Sequence, residues 1–229
     1  MTEIEKLALI SKGFDQLNAK DHDRAIRTFR RLLKVDPENP ENHYGAGIAY
    51  AAKGMTKSAA KHLSQVVDSD YASVRRPHAR MVLGYVHVQR GAYDEAIKQF
   101  QIVLDGGFHA AQAHAAMGYC YEQLKQYDRA VESLKLAIEA DPDNANARNT
   151  LSYTYLESGE DADVAIDECR KALRKDPENA AFNDTMGWAL YHAGKYVAAE
   201  TYLRRALERA PSHPVIIDHI KALESRLQK

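Results

Sequence analysis

The sequence predicts an all-α protein, an α-solenoid of about six tandem helix–turn–helix repeats followed by one further helix. Three observations support this fold class. A short motif returns every 34–37 residues, the apolar residues between its copies follow the helical period, and no segment shows the alternation of a β-strand. Because one such repeat cannot bury its apolar face alone, neighbouring repeats must stack to form a continuous core.

The clearest copy of the motif runs from Gly91 to Ala96, with Phe100 four residues later. The alanine that ends it recurs in each repeat. The six alanines are Ala25, Ala59, Ala96, Ala130, Ala165 and Ala199, at steps of 34, 37, 34, 35 and 34 residues. They predict repeats at 6–39, 40–76, 77–110, 111–144, 145–179 and 180–213, within a single domain, 1–229, that ends in a capping helix, 214–229.

A glycine stands twelve residues before this alanine in five of the six repeats. These glycines are Gly13, Gly47, Gly84, Gly118 and Gly187, and in the fifth repeat an extra turn residue shifts this position to Ser152, thirteen residues before the alanine. Each lies in the middle of a predicted first helix, where glycine costs about 1 kcal/mol relative to alanine. We therefore expect the second helix of each pair to approach so closely that a side chain at this position would block it.

The connections between repeats also have a common form. Three of them, at 36–39, 141–144 and 176–179, place Asp-Pro before an acidic residue and Asn, which favours a helix stop and a new start. The second repeat is instead lengthened by three residues between Ser69 and Pro77. Because insertions in repeats map to loops that often carry function, the pair Arg75 and Arg76 is a candidate partner contact.

The last segment, 214–229, predicts an amphipathic helix. Its apolar stripe consists of Ile216, Ile220, Leu223 and Leu227. Because a solenoid needs terminal units with a polar outer face, we interpret this helix as a cap. The alternative is that the stripe is a dimer surface.

These residues together carry a family resemblance. The spacing of the glycine, the tyrosine, the alanine, the large apolar residue and the proline resembles the tetratricopeptide repeat (TPR) over residues 6–213. Local departures are Gln16, His87 and Leu190 in place of tyrosine, and Tyr71 and Phe108 in place of proline. The resemblance implies a right-handed superhelix whose first helices line a concave groove, and a non-catalytic adaptor or scaffold that binds a partner peptide or helix there.

The resemblance also implies which positions face the groove, mainly three residues before the glycine, one after it and four after it. The candidate binding residues are Phe14, Tyr44, Ile48, Met81, Tyr85, Tyr119, Asn149, Tyr153, Asp184, Trp188, Tyr191 and His192. Five of the six residues just after the glycine position are aromatic. Two interpretations stay open: the rings grip a partner, or they pack between adjacent first helices.

Some family members bind the C-terminal carboxylate of chaperones through lysine, arginine and asparagine on three first helices. Here the matching positions hold Ile10, Phe14, Gly45, His78 and Val82. None of these side chains supplies the required charge or amide, so we do not expect chaperone-tail binding.

Composition excludes several other classes. Lys and Arg total 31 against 32 Asp and Glu, so no net field attracts nucleic acid or an anionic membrane. No signal peptide is visible, and no window approaches about 18 consecutive apolar residues. Cys120 and Cys169 fall on apolar helix faces and are expected to be buried free thiols, which favours the cytoplasm.

Catalysis and cofactors are not expected. The chain contains no phosphate-binding loop, nucleophile elbow or dinucleotide fingerprint. Ten histidines form no metal-binding motif, and His43, His87 and His114 are interpreted as satisfied structural side chains. The sequence thus predicts neither metal nor cofactor. The alternative to a peptide-binding module is a homo-oligomeric scaffold that assembles through its cap or convex surface.

Overall fold

The computed structural model describes residues 1–69, 74–160 and 162–228, and these form thirteen α-helices without a β-strand. The chain divides into two compact units, unit 1 (Met1–His109) and unit 2 (Ala110–Lys229). The helices of unit 1 are α1 (Glu3–Asn18), α2 (His22–Val35), α3 (Pro40–Ala52), α4 (Thr56–Val67), α5 (Arg76–Gln89) and α6 (Tyr93–Asp105). Those of unit 2 are α7 (Ala110–Gln123), α8 (Tyr127–Ala140), α9 (Ala145–Ser158), α10 (Ala162–Lys175), α11 (Ala180–His192), α12 (Tyr196–Arg209) and α13 (Pro214–Leu227).

Six helix pairs and one further helix confirm the predicted all-α repeat fold. The division between the units falls between the third and fourth predicted repeats. The single-domain organisation stays a prediction. Tyr71 and the rest of 70–73, within the lengthened connection, lie outside the described residues. Each helix in the described ranges is too short or too polar to cross a lipid bilayer.

The Asp-Pro connections start new helices through their asparagines. The Oδ1 atom of Asn39 accepts a hydrogen bond from the backbone N–H of Glu41 at 3.0 Å, and Asn179 does the same for Ala181. A side-chain acceptor at this position satisfies an N–H that has no partner inside the helix. The preceding proline therefore lies in the turn, and the asparagine caps the helix that follows.

The turn between the two helices of each pair contains one residue with positive φ. We call the position of the mid-helix glycine, or of Ser152 in the fifth repeat, the glycine slot. The residue with positive φ lies seven positions after that slot. Glycine fills this position in four repeats, as at Gly91 (φ 69°), whereas Lys20 (φ 58°) and Lys125 (φ 57°) fill it in the first and fourth. A non-glycine residue in this region costs roughly 1–2 kcal/mol because its Cβ crowds the following carbonyl. The tight turn is thus part of the repeat geometry, even where the sequence lacks glycine.

Close helix approach explains the mid-helix glycines, as expected. A Cβ at Gly118 would lie 2.5 Å from the Cγ of Leu134, and one at Gly187 would lie 2.6 Å from the Cγ of Leu203. The fifth repeat reverses the sizes: Ser152 replaces glycine, and the facing residue is the smaller Cys169. The Ser152 hydroxyl donates to the carbonyl oxygen of Ala165 at 2.7 Å, so the larger side chain is also satisfied.

Unit 1 contains a tighter version of this contact. The ring of Phe29, fully buried on α2, meets two glycines. A Cβ at Gly13 on α1 would lie 2.6 Å from the Phe29 Cζ, and one at Gly45 on α3 would lie 2.1 Å from it. The ring of Phe29 thus occupies the space left by one glycine in its own repeat and by a second one in the next.

Helix α13 packs its apolar stripe inside unit 2. Ile216 and Leu223 are each 2% exposed, and Ile220 packs against the buried cluster that contains Leu203. Leu227 alone among the four stripe residues is exposed. The stripe is thus mostly consumed by intramolecular contacts, which supports the interpretation as a cap.

Candidate functional site

In each unit the first helices of successive pairs contact one another, namely α1, α3 and α5 in unit 1 and α7, α9 and α11 in unit 2. We call the surface that they form the first-helix face of the unit. All twelve candidate binding residues lie on these helices, five in unit 1 and seven in unit 2. The two faces present those residues differently.

On the first-helix face of unit 1 an arginine covers the rings. Phe14 packs edge-on against Phe29 with ring centroids 5.3 Å apart, and Tyr44 lies 6.1 Å from Phe14. The guanidinium of Arg75 lies 4.4 Å from the Phe14 centroid and 4.9 Å from that of Tyr44. Its Nε pairs with the Glu41 carboxylate at 2.7 Å. The lengthened connection thus places a cation over this face.

The expected exposure of Tyr44 and Met81 requires a correction, because these side chains are only 8% and 5% exposed. The Tyr44 hydroxyl shares a hydrogen bond of 2.9 Å with the Nδ1 of His78. Burial raises the Tyr44 pKa, an effect that the nearby Arg75 cation opposes. Tyr44 therefore serves the packing between α1, α3 and α5, which leaves little of it for a partner.

The other two candidates in unit 1 differ from each other. Ile48 is half-buried and packs against the core of the unit. Tyr85 is 43% exposed, with its ring edge-on to Phe100 at a centroid distance of 5.3 Å.

The first-helix face of unit 2 contains a pocket of about 420 Å³. Helices α7, α9 and α11 form three of its walls, and the start of α13 forms the fourth. Four candidate residues line it, namely Tyr119, Asn149, Tyr153 and Asp184. The Tyr119 ring remains 39% exposed. The pocket therefore brings together candidate residues from three different repeats.

The pocket has acidic character. Glu122 and Asp184, 9% and 7% exposed, both line it, and no Lys or Arg is found among its described lining residues. Burial raises the pKa of the Glu122 carboxyl; a hydrogen bond from Gln123 opposes this, and the Glu157 carboxylate adds to it. Burial, together with the carboxylates of Glu157, Glu122 and Asp184, raises the pKa of Tyr153 to about 12.

Trp188 is covered by its own unit. Its indole stacks on Tyr191 at 4.8 Å and on His219 of α13 at 4.0 Å, with His192 edge-on at 4.7 Å. The Nδ1–H of His219 also donates to the Asp184 carboxylate at 2.9 Å. For Trp188, as for Phe14, packing between neighbouring elements explains the aromatic side chain.

Three residues that shape these faces lie outside the twelve candidate binding residues, although Arg75 was indicated as a candidate partner contact. Glu122 occupies the position four after the glycine, the same one as Tyr191, so the spacing could have included it. Arg75 and His219 lie outside the first-helix positions of the motif and reach the rings through long-range contacts. The lengthened connection singled out Arg75 without indicating which rings it covers, and no local signal indicates the contact of His219.

The histidines behave in two ways. The Nε2–H of His43 donates to the carbonyl oxygen of Pro37 at 2.7 Å, and its Nδ1 shares a hydrogen bond of 3.0 Å with the Nδ1 of His62. By contrast, the buried Nδ1 atoms of His87 and His114 have no hydrogen-bond partner among the described residues, which corrects the expectation that both are satisfied. In the ranges that the structure covers, no three His, Cys, Asp or Glu side chains are placed to hold a metal.

Both cysteines are buried free thiols, as predicted. Burial raises the pKa of each to about 12, so both remain protonated at neutral pH. The Cys169 thiol also donates to the carbonyl oxygen of Phe182 at 3.2 Å. The two thiols are thus structural and have little nucleophilic character.

Comparison with protein families gives two matches. The model of the "Tetratricopeptide repeat protein 21 C-terminal ARM domain" matches residues 5–186, which is most of the chain. A second model, "Tetratricopeptide repeat", matches residues 158–217. No curated protein matches the sequence.

Solved structures with the same fold include three TPR-like chains. A chain of the APC/C hetero-tetramer Cut9–Hcn1 is 17% identical with a TM-score of 0.78; the match covers 95% of this chain but only 42% of that one. PilF of Pseudomonas aeruginosa is 14% identical with a TM-score of 0.75, over 95% of this chain and 97% of PilF. YrrB, described as a TPR protein with an unusual peptide-binding site, is 19% identical with a TM-score of 0.61, over 84% and 97% of the two chains.

Proposed function

Because the chain belongs to the tetratricopeptide-repeat family, we propose that it is a non-catalytic adaptor that holds a segment of a partner protein on the first-helix face of unit 2. The partner segment is a peptide or a helix, and the rings of Tyr119 and Tyr153 are its main contacts. The cytoplasm is the expected location, in keeping with two buried thiols.

The pocket of unit 2 carries this proposal. It joins side chains from three successive first helices, which is the arrangement by which a repeat array reads an extended partner. Its volume of about 420 Å³ accommodates one or two side chains of a bound segment. Exposed aromatic rings concentrate binding energy, because they bury a large area at little conformational cost. YrrB, a protein of the same fold, is itself described as having a peptide-binding site.

The test removes the exposed ring of Tyr119 and the half-buried ring of Tyr153. A library of random dodecapeptides displayed on phage is selected against the wild-type protein and against the double variant Tyr119→Ala, Tyr153→Ala. We expect the double variant to retain at least about tenfold less of the peptides selected on the wild type. The reason is that truncating an aromatic hot spot costs about 2 kcal/mol or more of binding free energy.

The matched control is Tyr202→Ala, which removes a half-buried ring from the second helix of a pair, outside the pocket. Its selected peptides should equal those of the wild type. Far-UV circular dichroism of both variants checks that helicity is intact. Equal retention by the double variant, or failure of the folded wild type to retain any peptide, contradicts the proposal.

The scaffold alternative predicts a concentration-dependent assembly through the cap or the convex surface. The burial of the α13 stripe weakens it, because only Leu227 of that stripe remains exposed. Light scattering over a concentration series separates the two functions: a constant monomer mass supports the adaptor, and a mass that grows with concentration supports the scaffold.

A further inference from the structure

We propose that the unit 2 pocket takes an arginine side chain of the partner segment, with Glu122 pairing the guanidinium and the rings of Tyr119 and Tyr153 flanking it. This inference rests on the function proposed above and names the chemistry that the pocket selects.

The first argument is an uncompensated buried charge. Glu122 is nine-tenths buried, and its Oε2 accepts a hydrogen bond from the neutral amide of Gln123 at 2.8 Å. Within the ranges that the structure describes, Glu122 forms no ion pair. A carboxylate taken out of water without a cation is costly, so a partner that supplies the cation relieves the cost.

The second argument is the chemistry of the walls. Val215 and Ile216 line the pocket beside the two tyrosine rings, so much of its surface is apolar. Arginine packs its methylene stem along apolar surface while its head group stays with polar partners. The planar guanidinium also stacks on aromatic faces and pairs with carboxylates through two N–H groups, which a lysine ammonium cannot do.

The third argument is that unit 1 already uses this arrangement internally. Phe14 occupies the same repeat position as Tyr119 and Tyr153, one residue after the glycine slot. There the guanidinium of Arg75 stacks on Phe14 at 4.4 Å and pairs with Glu41 at 2.7 Å. A ring at this position with a nearby carboxylate therefore suits an arginine. In unit 2 the ring and the carboxylate are present, while the described lining holds no arginine.

The experiment uses two small probes on the full chain, N-acetyl-arginine methylamide and N-acetyl-citrulline methylamide. Citrulline has nearly the same shape as arginine but is neutral. Binding is followed through the amide resonances of unit 2 by NMR titration. We expect the arginine probe to shift resonances around Tyr119, Glu122 and Tyr153, with an affinity at least about tenfold above that of the citrulline probe, since pairing a buried carboxylate is typically worth more than 1.4 kcal/mol.

The variant Glu122→Gln should reduce arginine binding to the level of citrulline, because the amide keeps the shape and removes the charge. Glu132→Gln, at an exposed position of α8, is the matched control and should bind as the wild type does. Equal affinities of the two probes for the wild type overturn the inference without any variant. So does a folded Glu122→Gln protein with unchanged arginine binding.

The outcome is separable from that of the proposed function. The selected peptides can require Tyr119 and still show no enrichment in arginine over lysine or glutamine. This result contradicts the arginine inference alone. Failure of the folded wild type to retain any peptide contradicts the proposed function, and the inference with it. Enrichment in arginine that disappears with Glu122→Gln and persists with Glu132→Gln supports both.

Discussion

The first-helix faces of the two units carry aromatic side chains at several of the same repeat positions, and the acidic pocket described above lies on the face of unit 2. In unit 1, Arg75 lies over Phe14 and Tyr44, and its charge is balanced by Glu41. In unit 2, Tyr119 and Tyr153 line a pocket whose buried Glu122 has no ion partner among the described residues. The same motif position thus carries a covered ring at Phe14 in unit 1, whereas at Tyr119 in unit 2 it borders an open pocket.

The difference comes from what lies between the repeats. The motif places a ring on the face, but a side chain outside the motif decides whether the ring is covered. Arg75 belongs to the lengthened connection before α5, and His219, which covers Trp188, belongs to α13. Variation in connections and terminal helices therefore tunes the binding surface, while the helix pairs keep their packing.

The largest expected difference between the units is in the loss of stability when a glycine at a helix contact is replaced. Gly45→Ala should destabilise the protein by about 3 kcal/mol, because its Cβ would lie 2.1 Å from the rigid ring of Phe29. Gly187→Ala in unit 2 should cost less, about 2 kcal/mol, because its Cβ would lie 2.6 Å from the Cγ of Leu203, a less severe overlap than the 2.1 Å at Gly45. Urea denaturation followed by far-UV circular dichroism measures both.

A double-mutant cycle provides the control for this prediction. Phe29→Leu in the Gly45→Ala background should recover part of the lost stability, since leucine pairs with a single glycine in other repeats. If the double variant is no more stable than Gly45→Ala, the clash with the ring is not the cause.

The next effect is a pH dependence that unit 1 contributes. Burial first, and then the charges of His43 and Lys61, lower the pKa of His62 to about 4. The folded state therefore favours neutral His62, and stability falls as the pH drops from about 6.5, where unfolded histidine protonates, towards about 4. We expect a loss of about 1–3 kcal/mol over this range, after allowance for partial exposure.

The variant His62→Asn tests this assignment, because its amide can still donate to His43 but does not titrate. Its urea midpoint should depend less on pH than that of the wild type. The matched change in unit 2 is His192→Asn, at an exposed histidine whose pKa burial also lowers. If both variants reduce the pH dependence of the urea midpoint equally, the His43–His62 pair is not the main cause of that dependence.

The smallest expected effect is that of removing Arg75 from the rings of Phe14 and Tyr44 in unit 1. Arg75→Gln should lower stability by about 1 kcal/mol, because a half-exposed ion pair and two ring contacts are lost. It should also let N-acetyl-arginine methylamide shift resonances around Phe14 and Tyr44, which the wild type should not show. Binding of the arginine probe to unit 1 of the wild type would contradict the claim that Arg75 already occupies this face.

The fold was predictable because the repeat motif is local. A glycine, an alanine and a large apolar residue recur within one helix pair, so each pair could be placed without knowledge of the others. The same local argument missed Gly45, because the ring that it accommodates belongs to the preceding repeat. It also missed the positive φ at Lys20 and Lys125, which a glycine marks in the other four repeats.

The candidate site was predictable only in part. The family resemblance implied that Tyr119, Asn149, Tyr153 and Asp184 share one face, and all four line the pocket of unit 2. Exposure was not predictable, since it depends on contacts far apart in the sequence. The burial of Tyr44, for example, depends on His78 and Arg75, which lie in the next repeat and in the connection before it.

The ring of Phe29 has a consequence for how unit 1 opens. It is held between Gly13 of the first helix pair and Gly45 of the second, so neither pair can separate without exposing it. Terminal repeats of solenoids usually fray on their own, because each contacts only its neighbour. Here the backbone amides of α1 and α3 are expected to exchange with deuterium through one shared event, which makes the first two repeats a single cooperative folding unit.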